Sequence, residues 1–225
     1  MKYQIHSEIC GPWENFSHII EDKETKKAII IDPAWDADRI LTRITEHKLT
    51  VDAIWLTHSH HDHVNAVIEI RDKIKALNLS SCHDVPVYLH QNEIAFLQKN
   101  PGVHPFGTIP EDTHPLNDQD ELHLGSTIVK VIHTPGHSMG SCCFLMEHDM
   151  ITGDTLFIDG AGRTDLLGSE PADLVKSLQK IMLNVPHHVI LHTGHAYGPT
   201  ATATLSAQIQ TNPYLRQCLE LVKNS

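Results

Sequence analysis

The chain has 225 residues, with 17 Lys and Arg against 28 Asp and Glu, a formal charge of -11, and 19 histidines. That length supports one large domain that buries a full two-layer core without staples. The acidic balance and the lack of a basic block argue against a nucleic-acid surface, and no stretch approaches the roughly 20 apolar residues of a membrane span.

Residues 3–9 and 16–21 read as an antiparallel strand pair, and Lys27 to Asp32 as a third strand stopped by Asp32-Pro33. Over 36–48, Ile40, Leu41 and Ile44 recur at helical spacing. The apolar run Val51 to Leu56 is a strand, and Val64, Val67, Ile68, Ile70, Ile74 and Leu77 predict an amphipathic helix over 64–77. A short strand at 85–89 and a helix at 91–99 follow. Residues 100–120, rich in Pro, Gly, Asp and His, read as a long irregular connection, either a wall of a substrate entrance or a spacer. Strands at 127–133, 141–146, 150–152 and 189–192 build a second β layer, with a helix from Pro171 to about Leu183 whose start carries Glu170 and Asp173, as the helix dipole favours. Helices at about 201–210 and 214–223, separated by Asn212-Pro213, end the chain.

The five cysteines, at 10, 82, 142, 143 and 218, form no C-x-x-C pair. Cys142 and Cys143 sit in one strand and face opposite sides, one toward the core. The first eight residues lack the apolar run of a signal peptide. The expectation is buried free thiols in a reducing cytosol and a cytoplasmic protein.

The chemistry concentrates at Thr57-His58-Ser59-His60-His61-Asp62-His63, an H-x-H-x-D-H spacing directly after a strand. Alternate side chains of an extended segment share a face, so His58 and His60 can reach one ion together. If the chain then turns into a helix, Asp62 and His63 leave on another heading, toward a second ion. Imidazole suits zinc and iron, and carboxylate adds a harder oxygen ligand. Three later segments repeat an apolar run followed by a ligand type in a turn: Thr134-Pro135-Gly136-His137, Thr152-Gly153-Asp154 and Thr193-Gly194-His195. Each alone is weak, but their number and order are not. His61, His133 and His192 read as residues outside the ligand set, either solvated or placed to orient a ligand or a carboxylate.

Taken together, THSHHDH, TPGHS, TGDTLF with GAGRTD, and TGHAYG resemble a metallo-β-lactamase-fold hydrolase of the glyoxalase II (hydroxyacylglutathione hydrolase) type over residues 57–198. The resemblance implies an α/β (α+β) fold, a four-layer αββα sandwich, with residues 1–198 as the catalytic domain and 199–225 as a short helical extension of it. It implies two divalent metal ions, zinc first and iron or manganese as alternatives. His58, His60 and His137 would hold one ion, Asp62, His63 and His195 the other, and Asp154 would bridge them. The implied reaction is hydrolysis of an acyl thioester by a bridging hydroxide, with Asp62 as the catalytic residue that orients it. Arg163 and Tyr197 are candidates for substrate binding, each weighed against a structural role: a salt bridge with Asp165 for Arg163, and packing for Tyr197. The partner is then a small-molecule thioester, glutathione-linked in the family, and a homodimer is left open.

The chain departs from glyoxalase II after Gly198, where two short helices with Arg216 and Lys223 as their main basic residues stand in place of a larger glutathione-gripping domain. A shorter acyl thioester, or one on a carrier, is therefore the alternative to a glutathione thioester. GRTD and the tail around Asn212-Pro213 also resemble persulfide dioxygenases, which would imply a single iron on His58, His137 and Asp154, acting on glutathione persulfide. A phosphodiesterase or nuclease of this fold is disfavoured by the acidic charge, and a non-enzymatic module by the occupancy of every ligand position.

Overall fold

A computed structural model describes residues 1–223; Asn224 and Ser225, counted above in the extension, lie outside the described residues, as do the side chains of Val222 and Lys223. The first half runs β1 (Tyr3–Cys10), β2 (Asn15–Asp22), β3 (Lys27–Ile31), α1 (Ala37–Glu46), β4 (Thr50–Trp55), α2 (His61–Val64), α3 (Val67–Ala76), β5 (Val87–His90), α4 (Gln91–Lys99) and β6 (His114–Leu116). The second half runs β7 (Glu121–Leu124), β8 (Thr127–His133), β9 (Cys142–Leu145), β10 (Asp149–Gly153), β11 (Leu156–Phe157), β12 (Gly160–Ala161), α5 (Pro171–Asn184), β13 (Ile190–Thr193), β14 (Thr202–Thr204), α6 (Leu205–Thr211) and α7 (Pro213–Lys223).

Strands β1 to β6 form one sheet in sequence order, and the second sheet runs β14-β13-β10-β9-β8-β7. Three apolar layers hold the molecule together. Ile40, Leu41 and Ile44 of α1 and Val67, Ile70 and Ile74 of α3 pack on the outer face of the first sheet. Ile20, Ile29, Ile31 and Trp55 meet Val129, Val131, Phe144 and Ile151 between the sheets. Leu174, Leu178 and Ile181 of α5, with Leu205 and Leu215, cover the outer face of the second sheet. This is the expected αββα sandwich. Because each sheet is covered on both faces, its central strands read as continuous apolar runs such as Ile29-Ile30-Ile31 rather than as alternation.

Several local expectations change. The helix expected over 64–77 is two pieces, because Asn65 and Ala66 are drawn to the β3–α1 turn. Asn65 Oδ1 accepts from the Trp35 N–H at 2.7 Å, and the Ala66 N–H donates to Pro33 O at 3.3 Å. Segment 100–120 is not irregular throughout: His114–Leu116 adds a parallel edge strand beside β5. Cys142 lies between the sheets and Cys143 under α5, so both are buried rather than one; Cys82 is exposed. The helix expected at 201–210 begins at Leu205, because Thr202–Thr204 pair with β13. The residues after Gly198 therefore complete the second sheet as well as its helical cover. Asn212 ties them down, its amide donating to Phe157 O and Gly160 O at 3.1 and 2.9 Å. No helix among the described residues is long and apolar enough to cross a membrane.

Candidate metal centre

Parallel strands β3 and β4 end side by side, with Ile31 opposite Trp55. That edge therefore receives Asp32 from one strand and the Thr57–His63 segment from the other. Ligand sites form outside the carboxyl ends of parallel strands because successive connections diverge there. Asp32 takes a left-handed conformation, φ 49°, and its carboxylate organises the edge. One oxygen accepts from the Thr57 N–H at 2.7 Å; the other accepts from the Thr57 hydroxyl at 2.6 Å and lies 3.1 Å from His63 Nδ1.

The expected ligand positions converge as two trios. In the first, His58, His60 and His137 bring ring nitrogens within 4.8 Å of one another. His60 Nδ1 and His137 Nε2 are 2.9 Å apart. His137 Nδ1 donates to Arg163 O at 2.9 Å, which leaves Nε2 with its lone pair facing inward. His58 is fully buried, and its Nε2 has no hydrogen-bond partner among the described residues. In the second trio, His63 Nε2 and His195 Nε2 lie 3.3 Å apart, and Asp62 Oδ2 is 3.5 and 3.4 Å from them. His195 Nδ1 donates to Trp13 O at 2.7 Å, so both imidazoles aim Nε2 inward. Asp154, at the end of β10, stands between the trios. Its carboxylate is 3.3 Å from His63, 3.4 Å from His195 and 3.5 Å from His137. Asp32 also falls within ligand distance of His58 and His63, but its oxygens are engaged by Thr57 and His63, so it orients ligands rather than joining them.

Charge distribution separates the two trios. Burial pushes His58, His60 and His137 below the ordinary imidazole range, His60 to about 3, so all three are neutral donors at pH 7. Burial would also depress His63 and His195. The Asp154 and Asp62 carboxylates outweigh it, holding His63 well above its usual range and His195 at about 9. Burial disfavours charge on Asp62 and Asp154 too, yet the neighbouring imidazoles keep both well below the carboxylate range. Two buried carboxylates held ionised, and an orphaned imidazole nitrogen, suit divalent cations.

The surrounding loops are shaped by this cluster. A Cβ on Gly194 would collide with Asp154 Oδ1, and one on Gly162 with the Asp154 carbonyl. The glycine of GAGR thus admits the Asp154 backbone rather than a ligand. The Arg163 guanidinium makes two hydrogen bonds to Asp165, at 2.6 and 2.7 Å, and its carbonyl positions His137. Tyr197 is 58 % exposed and stacks on His195 with ring centroids 4.5 Å apart. His61 is exposed at the edge of Trp35. His133 stacks on His90, and His192 pairs with Asp149, both away from the trios. Segment 100–120 lies against the motif: Phe106 meets the His60 ring at 5.0 Å, and the Gly107 N–H donates to Ser59 O at 2.8 Å.

Three supporting residues escape a sequence reading. Asn15, fully buried, donates to Asp62 Oδ2 at 2.8 Å and accepts from Trp35 Nε1–H at 2.9 Å. Asp32 reads locally as a strand stop; its one signal is a carboxylate following four buried residues at the end of a parallel strand. Glu93 of α4 is fully buried behind the motif, where the Ser138 hydroxyl donates to it. Burial pushes the Glu93 carboxyl up to about 7, against the hydrogen bond from Ser138. A raised folded value contributes stability that is full below the unfolded value near 4.5 and lost as pH rises through 7. Glu93→Gln removes that dependence. The variant-minus-wild-type stability should therefore rise by about 3 kcal/mol between pH 4.5 and 7. Denaturant melts across that window check it; a pH-independent difference would show that Glu93 does not titrate with folding.

A family profile described as the Metallo-beta-lactamase superfamily matches residues 10–195. The chain belongs to that superfamily. Its members' metal-dependent hydrolase character agrees with the His/Asp cluster built above. Among curated relatives, a probable polyketide biosynthesis zinc-dependent hydrolase, BaeB of Bacillus velezensis, is 32% identical over 91% of this chain and 83% of its own. A hydroxyacylglutathione hydrolase of Photobacterium profundum is 27% identical over 92% of this chain and 71% of its own. Among solved structures, the BLEG-1 B3 metallo-beta-lactamase superposes with TM-score 0.79 at 32% identity, covering 94% of this chain and 99% of that one. TTHA1623 in a di-iron-bound form gives 0.73 at 30% identity, covering 93% and 100%.

Proposed function

We propose that this superfamily hydrolase is a binuclear enzyme that cleaves acyl thioesters. The observation that carries the reading is Asp154, whose carboxylate lies within 3.5 Å of imidazoles from both trios. His58, His60 and His137 would hold one divalent ion, Asp62, His63 and His195 the second, and Asp154 both. Zinc suits this donor set, and iron or manganese are admitted by it. Ions bound there supply Lewis acidity toward a carbonyl oxygen and lower the pKa of bound water from 15.7 toward about 7.

The protein's own groups decide what can leave. Asp62 is pinned by the Asn15 amide at 2.8 Å and ionised, so it can orient a water by accepting its proton in a hydrogen bond. Neither Asp62 nor Asp154 is available as a carboxylic acid, so none of the cluster's carboxyls can protonate a departing group. A thiolate leaves without that help. Burial and the nearby Asp154 raise the Tyr197 phenol, which keeps its proton and can donate to substrate. Around His195 the exposed ring of Tyr197, with Phe157, makes an aromatic rim suited to the apolar part of an acyl thioester. Arg163, engaged by Asp165, contributes through its carbonyl.

The test compares a glutathione thioester, a coenzyme A thioester and a β-lactam as substrates of the metal-replete protein, with oxygen uptake on glutathione persulfide in parallel. Thioester hydrolysis with two metals per chain is expected. Oxygen consumption with one iron per chain, or hydrolysis of the lactam alone, would overturn the proposal.

A further inference from the structure

A second group of nitrogen and carboxylate donors lies far from the central cluster. His6 of β1, Glu21 of β2 and His47 at the end of α1 bring one donor atom each to within 4.8 Å of the others. His6 Nε2 is 2.8 Å from Glu21 Oε2, and His47 Nδ1 is 3.5 Å from the same oxygen. The two imidazoles meet edge to face, with centroids 4.4 Å apart. In a tetrahedral zinc site, ligand atoms about 2.05 Å from the ion are about 3.3 Å from one another. The observed separations bracket that value, so an ion can be received by small side-chain rotations.

The site is distinct from the centre that Asp154 joins. Asn15, which reaches Asp62, and Glu21 stand at opposite ends of β2, six residues or roughly 20 Å apart at the rise of a strand. His6 and Glu21 point to the outer face of the first sheet, toward α1. The His6 and Glu21 side chains are 8% and 4% exposed, whereas His47 is 33% exposed and leaves a route from solvent. Lys26 donates to the other Glu21 oxygen at 2.6 Å, so Oε2 stays turned to the imidazoles; at 53% exposed, Lys26 is free to turn to water when an ion brings its own charge.

We propose that His6, Glu21 and His47 form an additional divalent transition-metal site, with two imidazoles, one carboxylate and water as its ligands. Two nitrogens of three protein donors favour zinc over calcium or magnesium, which take oxygen ligands. Occupancy ties the C-terminal end of α1 to the β1–β2 pair, and because the site is remote, hydrolysis does not depend on it.

Equilibrium dialysis of the purified holoprotein against zinc tests this. The wild-type chain should hold one zinc more than His47→Ala, whose lost side chain is partly exposed at a helix end. His6→Gln should lose the same equivalent. His123→Ala, which removes an exposed imidazole elsewhere, should match the wild type, and the hydrolase activity of His47→Ala should be unchanged. Equal zinc in wild type and His47→Ala, or the same loss in His123→Ala, would overturn the site. Since activity and central metal are read separately, failure here leaves the binuclear reading intact, and the reverse.

Discussion

Asp154→Ala is expected to leave a folded protein that binds little metal and hydrolyses its substrate about 1,000-fold more slowly or worse. Asp154 is buried at the end of β10 and contacts imidazoles of both trios. Its removal deletes the carboxylate shared by the two proposed ions and uncovers the mutual repulsion of His63 and His195, whose protons it now holds. The loss is argued from charge rather than shape, so Asp154→Asn, nearly isosteric, should fail almost as badly. Metal per chain by elemental analysis and kcat/KM on a thioester measure both. Full activity in metal-depleted Asp154→Ala would end the binuclear proposal.

Asp32→Asn should weaken metal binding by roughly 10- to 100-fold, although residue 32 is not counted among the ligands. The carboxylate accepts on both oxygens, from Thr57 N–H on one and from the Thr57 hydroxyl and His63 on the other. An amide cannot do both. If its NH2 faces Thr57, two donors oppose each other; if it faces His63, the ring must carry its proton on Nε2, the nitrogen turned toward Asp62, His195 and Asp154. The substitution keeps the size of the side chain, and Asn tolerates the left-handed conformation at φ 49°. Competition against a calibrated chelator reads the affinity, and circular dichroism checks the fold. An unchanged affinity would mean that another group sets the His63 tautomer.

The elements legible in the sequence are those whose signal is local. The Ile40-Leu41-Ile44 spacing marks α1 because a helix presents such residues on one face, and the run into His58 marks a strand with ligands at its end. The ligand types and their order along the chain are equally plain. Expectation failed where distant partners decide. His114–Leu116 and Thr202–Thr204 are strands because an open sheet edge lies beside them, and both Cys142 and Cys143 are buried because a second layer covers each face of their sheet.

At the candidate centre the division is the same. Residue type and spacing by themselves marked His58, His60, Asp62 and His63 as candidate ligands, because a ligand's chemistry belongs to its side chain and a strand's period sets which neighbours face together; the place of His137, Asp154 and His195 in the set came from the family resemblance. Only the tertiary structure decided that His137, Asp154 and His195 meet the motif within hydrogen-bonding range, and that Asn15, Asp32 and Glu93 stand behind it. Those meetings join residues up to 180 positions apart, as between Asn15 and His195. They follow from the order in which strands pair and from burial, which makes polar groups find their partners inside the fold, neither of which is written in any local stretch of chain.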